Sequence, residues 1–292
     1  MRFENRGLAA TLAHVAGLLG MAHMQGRAMV LADAGAWGYA RGEPCAGFEC
    51  YFEAWGGCNA SRAGAQGAFQ VGRAAHANVF AMVPPRFAHK GVFWWRAVLA
   101  AWLFRVRPAL LAPGAPLDVA AQQAAQGWAR PVVGVHVRVG DSCNKWALHF
   151  NASCLPAAAH ARAALALVRR YGARTVFVAT DDAGVRAALA AALAAEAPGV
   201  RVVGAAGALG DRAGTSSAFA AHGVPSARWI EHRLQAGEIP ARPVAHQALL
   251  DLLLLARCDA LVLQLASNLS RLALALAAAH SARLVPFLSL DG

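Results

Sequence analysis

The sequence predicts an α/β fold built on a doubly wound parallel sheet. From about residue 132 to the end, short apolar runs of strand length alternate with longer segments of helical pattern. This alternation is typical of parallel strands joined by helices. Hydrophobic residues make up 58% of the chain and charged residues 15%, so the apolar side chains suffice for a large core.

The first third of the chain is less regular. Its predicted elements are a helix from Leu8 to Met24, a short strand over 28–32, irregular loops over 34–75 and a Trp-rich stretch of helical length over 93–111. Pro113, Gly114 and Pro116 then interrupt the pattern. We therefore place a domain boundary near 115–130 and expect a smaller N-terminal α/β part over 1–125.

Residues 126–292 are expected to carry the parallel sheet. Strands are predicted over 132–137, 175–179, 200–203 and 260–263, with a last one starting at 284, and helices over 156–171, 182–196, 226–236, 244–257 and 268–279. Doubly wound sheets bind ligands beyond the carboxyl ends of their strands. The polar residues that follow these strands are therefore the candidates for a functional site.

The net charge of +11 comes almost wholly from arginine, because the two lysines are Lys90 and Lys145. Arginine holds phosphate through a planar fork, so an anionic partner such as a nucleotide-sugar is one explanation. A GC-rich genome, which encodes Arg and Ala in place of Lys and Ser, is the other. The arginines are scattered and form no basic stripe with interleaved aromatic residues, so nucleic-acid binding is not expected.

The cysteines predict disulfides in loops. Five of them lie in predicted loops, three in a Gly-rich segment and two around a polar loop: Cys45, Cys50, Cys58, Cys143 and Cys154. Such loop pairs are typical of secretory-pathway proteins, and neither a CxxC nor a His pair at zinc-ligand spacing accompanies them. Cys258 lies in an apolar stretch, where we expect a buried free thiol.

No segment is predicted to span a membrane. The longest apolar candidate, 248–266, contains Asp251, Arg257 and Asp259, so we expect it in the core. Charged residues close to Met1 interrupt any hydrophobic region there, and we therefore expect neither a signal peptide nor a membrane anchor in this chain.

The first motif that can carry chemistry runs from Val132 to Asp141. His136 and Arg138 are two residues apart and share one face at the end of the predicted strand. An arginine that leaves a strand into a ligand crevice can hold a pyrophosphate through two parallel hydrogen bonds. Pairing of Arg138 with Asp141 to fix a loop is the alternative, and the motif alone does not separate the two.

The second motif places Asp181 and Asp182 directly after a predicted strand. These carboxylates can ligate a metal, position a sugar hydroxyl or cap the next helix, and capping is the commonest role of such residues. A metal site needs more oxygen ligands than this pair supplies.

The third motif extends from Asp251 to Arg271. Asp251 belongs to an apolar helical run, where a carboxylate needs a partner, either adjacent N–H donors such as those of guanine or a salt bridge. Ser267 follows a strand and opens a helix, so its hydroxyl and the helix amides can receive phosphate. A plain helix cap is the other reading of Ser267.

The order of the three motifs resembles the α1,6-fucosyltransferase family and its bacterial nodulation-factor relatives, and more distantly the α1,2- and protein O-fucosyltransferases. Segments that begin at Asn5, Gly26, Trp37 and Phe93 are also similar to the family. The resemblance implies a GT-B-like fold in which 126–292 form a Rossmann-like donor domain and 1–125 lie on the acceptor side. It also implies a location in the Golgi or secretory-pathway lumen.

The resemblance implies an inverting, metal-independent transfer of fucose from GDP-fucose to a glycan or glycoprotein, with no cofactor. Arg138 matches the diphosphate-binding arginine, and His136 and Asp251 match positions near the guanine. Ser267 matches a contact of the β-phosphate, with Asn268 beside it in the donor site. The acidic site positions are matched by three residues: Asp141, Asp181 and Asp182.

Three departures from the family concern the loop after the first motif. Val139 stands where the core enzymes have a second arginine, Ser142 where they have a lysine, and Trp146 where the acceptor-activating glutamate falls. A catalytically inactive nucleotide-sugar-binding relative is therefore the alternative function. Glu231 is a further candidate base, with a solvated helix face as its other reading.

Overall fold

The structure is a computed structural model that describes residues 7–30, 37–45, 47–54, 83–138, 155–180, 183–205 and 230–291. Its α-helices are α1 Leu8–Met24, α2 Gly91–Leu103, α3 Pro108–Leu111, α4 Val119–Ala125, α5 Ala157–Tyr171, α6 Ala183–Glu196, α7 Ile230–Ala236, α8 Ala241–Leu255 and α9 Asn268–Ser281. Its strands are β1 Val132–Val137, β2 Thr175–Thr180, β3 Arg201–Val203, β4 Ala260–Leu263 and β5 Phe287–Ser289. Short 3-10 helices cover Gly38–Ala40, Gly47–Cys50 and Pro85–Lys90.

The five strands form one parallel sheet in the order β3-β2-β1-β4-β5. Val135 of β1 pairs with Val178 of β2 on one side and with Val262 of β4 on the other. The chain thus adds β2 and β3 to one side of β1 and then returns to add β4 and β5 to the other. This change of direction between β1 and β4 is a topological switch point, which opens a crevice at the carboxyl ends of the strands.

Alternate side chains of β1 enter two different cores. Val133, Val135 and Val137 pack in a cluster with α5 and α6, whereas Val132 belongs to a second cluster with α8 and α9. Since successive side chains of a strand point to opposite faces, the two clusters lie on opposite faces of the sheet. The predicted α/β fold with a doubly wound parallel sheet is confirmed.

Two N-terminal helices extend the second core. α1 and α2 pack against each other and against α9, and their buried residues join the cluster that contains α8 and Val132. The division into parts 1–125 and 126–292 stays a prediction. Among the described residues, no helix is both long enough and apolar enough to cross a membrane.

An aromatic cluster next to a disulfide packs on α8. Trp37 stacks on Phe48 with ring centroids 4.6 Å apart, and the Tyr51 hydroxyl donates to the Tyr39 carbonyl over 2.6 Å. The disulfide joins Cys45 to Cys50. This confirms a loop disulfide in the predicted segment.

Of the other four cysteines, the structure describes Cys258. Cys258 is a buried free thiol, as expected. Cys58, Cys143 and Cys154 lie outside the described residues, so a Cys143–Cys154 bond stays a prediction.

The predicted strand over 28–32 is wrong for 28–30, the part of it that the structure describes. At the end of α1 the Arg27 N–H donates to the Ala22 carbonyl over 2.9 Å, and Gly26 adopts a φ of 62°. A left-handed glycine with such a bond satisfies the last helix carbonyls. Arg27 and Ala28 follow this turn into solvent and are not in a strand.

The stretch predicted as one helix over 93–111 is interrupted. α2 ends at Leu103 and α3 begins at Pro108. Proline lacks the N–H that continues a helix and favours extended backbone at the preceding residue, as seen at Arg107 with ψ at 130°. Between the two helices, Val106 forms an antiparallel bridge with Phe52.

The last strand begins at Phe287, later than the predicted start at 284. Pro286 has no N–H to donate to a neighbouring strand. Its carbonyl accepts the Leu261 N–H over 2.9 Å, which sets the register of β5 on β4.

Gly134, in the middle of β1, allows the end of α8 to approach the sheet closely. A Cβ at this position would lie 2.7 Å from Cys258 Sγ, 2.8 Å from Leu261 Cδ2 and 3.0 Å from Leu255 Cδ2. All three distances are shorter than ordinary contacts, so any side chain here would force the core apart. The missing side chain therefore sets the distance between the sheet and α8.

We predict that Gly134→Ala lowers the free energy of unfolding by about 1–3 kcal/mol, because it overpacks a dense core. Gly199→Ala is the matched control, since no atom lies within 4 Å of a Cβ there. Its effect should stay within about 0.5 kcal/mol. Chemical denaturation followed by circular dichroism measures both, and equal stabilities of the two variants would contradict the close packing.

Candidate functional site

The candidate site lies at the carboxyl ends of β1 and β4. His136 is the last but one residue of β1, and Arg138 follows the strand directly. On the other side of the switch point, Gln264 follows β4, and Ser267 is the N-cap of α9. The topology therefore brings the first and third motifs to one crevice, although more than 100 residues separate them in the sequence.

A hydrogen bond joins these two motifs. His136 Nδ1 lies 2.7 Å from Ser270 Oγ on the first turn of α9, and both residues are buried, with exposed fractions of 4% and 0%. Ser270 Oγ also accepts the Gln264 N–H over 3.2 Å. The hydroxyl can give its own proton to Nδ1, and this assignment leaves the ring proton of His136 on Nε2.

The polar network continues through the sheet edge to α5. The His160 ring contacts the Pro156 carbonyl through Nδ1 at 3.2 Å and the Gln264 side-chain amide through Nε2 at 3.3 Å. Gln264 is therefore held on one face by α9 and on the other by α5. A network whose members are all bonded rigidifies its surroundings, because an unmade bond in the interior is costly.

His136 is neutral in this setting. Burial lowers its pKa to about 3, with smaller contributions from the positive charge of Arg138 and from His160. At neutral pH the imidazole thus takes part through hydrogen bonds alone. The positive charge at the end of β1 belongs to Arg138, which is half-buried beside it.

The start of α9 suits an anion. Ser267 has the extended backbone of an N-cap, but its side chain makes no capping hydrogen bond. The first amides of a helix have no acceptor within the helix, and with the helix dipole they favour phosphate. Asn268 is partly engaged, because its Oδ1 accepts from Arg271 over 2.7 Å.

Helix and strand geometry lead us to expect Asp251 and His136 at a similar distance from the carboxyl edge, on the same face of the sheet. Leu255 of α8 meets Gly134, and Asp251 is one helical turn, roughly 6 Å, closer to the carboxyl edge. His136 is two strand residues beyond Gly134, a rise of roughly 6–7 Å. Asp251 is 8% exposed, and its Oδ1 accepts from Gln247 over 3.0 Å.

Three predicted acidic site residues follow β1 and β2 in the sequence. Asp141, Asp181 and Asp182 lie outside the described residues, so their roles stay predictions. β2 ends at Thr180, which pairs with Val137 at the end of β1.

Glu231, the further candidate base, lies against the start of α1. A Cβ on Gly7 would be 2.8 Å from Glu231 Oε1, and Glu231 is half-buried. The helix face that carries Glu231 is therefore partly solvated. A carboxylate beside the N-terminus of a helix is favoured by the helix dipole.

Sequence reasoning missed four contributors to this region: His160, Gln264, Arg96 and Arg271. Gln264 and Arg271 are within the third motif, where a polar residue directly after a buried strand was the available signal. Arg96 follows the Trp pair in α2 and gave no signal. Burial lowers the pKa of both arginines, and the positive charge of Arg271 lowers that of Arg96 further.

Among the described residues, no group of three or more His, Cys, Asp or Glu side chains is arranged to hold a metal ion. No protein-family model and no curated protein sequence matches this chain.

Solved structures with a similar fold include three crystal structures of POFUT1. The complex with GDP-fucose has a TM-score of 0.43 and 13% sequence identity, and the match covers 68% of this chain and 49% of that chain. The high-resolution complex with GDP has a TM-score of 0.43 and 12% identity, with coverages of 68% and 52%. The apo form has a TM-score of 0.41 and 14% identity, with coverages of 68% and 50%. The chain thus spans about half the length of the solved chains that it resembles. A likeness at this level does not assign a function.

We predict that His136 makes the protein sensitive to acid. Its pKa is lower in the folded state than in the unfolded chain, so below about pH 6.5 the unfolded state binds the extra proton and stability falls. The loss should reach up to about 1.4 kcal/mol per pH unit and end near pH 3. Urea denaturation at a series of pH values measures it.

The variant His136→Asn, which keeps a polar partner for Ser270, should show a smaller slope of stability against pH. His89→Asn removes an exposed imidazole and should keep the wild-type slope. Identical slopes for wild type and His136→Asn would contradict a neutral buried His136.

Proposed function

We propose that this chain binds a GDP-sugar at the switch point between β1 and β4 and transfers fucose from GDP-fucose to a glycan or glycoprotein. The observation that carries the proposal is the His136–Ser270 hydrogen bond. It joins the first motif, which contains His136 and Arg138, to the helix start that follows β4. Two separately recognised motifs thus meet at the position where doubly wound sheets bind nucleotides.

The diphosphate would lie between Arg138 and the start of α9. Arg138 supplies a charge that does not titrate at physiological pH, and Ser267 and the first amides of α9 supply uncharged donors. Their combined field neutralises the negative charge that grows on the leaving GDP as the sugar–phosphate bond lengthens. In the metal-independent mechanism that the resemblance implies, Arg138 and the start of α9 stabilise the leaving diphosphate, which a metal ion does in metal-dependent transferases.

The guanine would lie toward His136 and Asp251. A buried carboxylate accepts from the two adjacent N–H groups that guanine offers and that uracil does not. A neutral His136 adds a directional hydrogen bond without placing a second positive charge beside Arg138.

The transfer itself is an inverting displacement. The acceptor oxygen forms a bond to the anomeric carbon as the bond from that carbon to the β-phosphate oxygen breaks, and GDP leaves with the electron pair. The acceptor proton passes to a base, for which Asp141, Asp181 and Asp182 are the candidates that the resemblance supplies. The disulfide Cys45–Cys50 supports a secretory-pathway lumen as the place of this reaction.

A second candidate function is nucleotide-sugar binding without transfer. Val139, Ser142 and Trp146 replace an arginine, a lysine and a glutamate of the family, and all three changes remove a charge. Release of GDP from GDP-fucose in the presence of glycoprotein acceptors separates the candidates. Tight GDP binding without turnover favours the second.

We predict that GDP raises the melting temperature of the protein selectively over UDP and ADP, because a ligand that binds only the folded state stabilises it by mass action. Arg138→Ala should abolish this shift, since the diphosphate charge is left without its partner. Arg162→Ala changes an exposed arginine of α5 on the opposite face and should keep the wild-type shift. A shift of equal size in Arg138→Ala would refute the diphosphate site.

We predict that Asp251→Asn weakens GDP more than UDP, by on the order of tenfold in relative affinity, because the amide presents N–H groups where guanine requires an acceptor. Isothermal titration calorimetry with both nucleotides measures the ratio. An equal loss for GDP and UDP would remove Asp251 from the guanine site.

A further inference from the structure

The carboxylate of Asp291 holds the turn between β4 and α9. Its Oδ1 accepts the Leu265 N–H over 2.7 Å, and its Oδ2 accepts the Ala266 N–H over 2.5 Å. Ser289, at the end of β5, donates its hydroxyl to Asp291 Oδ1 over 2.6 Å. One side chain thus binds two consecutive backbone amides immediately before the N-cap Ser267.

We propose that Asp291 is a positioning residue of the donor site, which fixes the backbone from which Ser267 and Asn268 meet the diphosphate. The inference rests on the proposed function. It adds a residue outside the three motifs, which comes two residues after the end of β5.

Four consecutive backbone N–H groups of this turn, at residues 264–267, each donate a hydrogen bond within the protein. Gln264 donates to Ser270 Oγ over 3.2 Å, Leu265 and Ala266 donate to Asp291, and Ser267 donates to the Gln264 carbonyl over 2.9 Å. The amides that remain for an anion are those of the first turn of α9, which have no acceptor in the helix. The Asp291 contacts therefore direct the phosphate to the helix start and away from the turn.

The negative charge of Asp291 is maintained next to this anion site. Burial raises the pKa of Asp291, but the hydrogen bonds from Ser289, Ala266 and Leu265 outweigh it and hold the pKa below its usual value. The same charge stabilises the protonated form of Arg271. The arginine lies on the first turn of α9 and offsets the carboxylate where the phosphate approaches.

The sign of one mutational effect tests the proposal. If Asp291 positions the turn, Asp291→Asn weakens GDP binding, because the variant replaces one of the two accepting oxygens with an NH2 group, which is a donor and faces a backbone N–H. If the carboxylate instead competes with phosphate, the same variant binds GDP more tightly. Guanosine lacks the diphosphate, so its affinity should not change when only the turn is displaced.

The control is Asp118→Asn. Asp118 also accepts two backbone N–H groups, from Gly114 over 2.8 Å and from Ala121 over 3.0 Å, at the start of α4. This variant loses the same kind of bonds outside the donor site. It separates a loss of stability from a loss of positioning.

Calorimetric titration of wild type, Asp291→Asn and Asp118→Asn with GDP and with guanosine is the experiment. We expect Asp291→Asn to lose on the order of tenfold in GDP affinity, about 1.4 kcal/mol, and to keep its guanosine affinity. Asp118→Asn should keep both. An unchanged or higher GDP affinity in Asp291→Asn, or an equal loss for guanosine, overturns the inference while the proposed function stands. Absence of GDP binding in wild type overturns both.

Discussion

The pairing of β1 with β4 is the contact on which the candidate site depends. These strands are more than 100 residues apart in the sequence and are joined in register at Val135 and Val262. At the amino end of this pair, Asp259 Oδ2 accepts the Val132 N–H over 2.8 Å and also pairs with Arg130. At the carboxyl end, the His136–Ser270 bond and the Gln264 contacts close the pair. A polar connection at each end therefore fixes how far β4, and with it α9, can move along β1.

The middle of the β1–β4 pair is packed with apolar side chains, whereas its carboxyl end carries polar side chains that need hydrogen-bond partners. Around Gly134 the packing is apolar and dense, so the core there stabilises the fold without chemistry. Two residues further along β1, His136 is equally buried but bonded to Ser270, and its neutrality avoids an unpaired charge in the interior. The formal charge first appears at Arg138, where the strand leaves the core. This gradient along β1 explains how a strand that is buried along its length ends in a positive charge, Arg138, at the crevice.

The regular elements of this fold could be predicted well because the buried strands are short continuous apolar runs and the helices are longer segments between them. β1 and β4 have the predicted bounds, and Ala157–Tyr171 differs from its predicted helix by one residue. Three errors fall where local chemistry overrides the pattern, at Pro108, Pro286 and the Gly26 turn. The helix predicted over 244–257 is also displaced, because it begins at Ala241 and ends at Leu255. In the site, Arg138 and Ser267 stood in recognisable motifs. His160 and Asp291 did not, because their roles depend on contacts with residues far away in the sequence, which one sequence does not reveal.

The proposed nucleotide binding and the proposed transfer depend on different parts of this chain. The residues that would hold the donor lie in or directly next to β1, α8 and α9, which the sheet and its polar connections fix in place. The departures from the α1,6-fucosyltransferase pattern, at Val139, Ser142 and Trp146, all come after β1 in the sequence, and the resemblance places the activation of the acceptor at Trp146. Substitutions in this segment can remove catalysis without altering the strand and helix that are proposed to bind the diphosphate. A chain of this kind can therefore keep GDP-sugar binding after losing transfer, and the reverse order is excluded because transfer requires the donor to be bound.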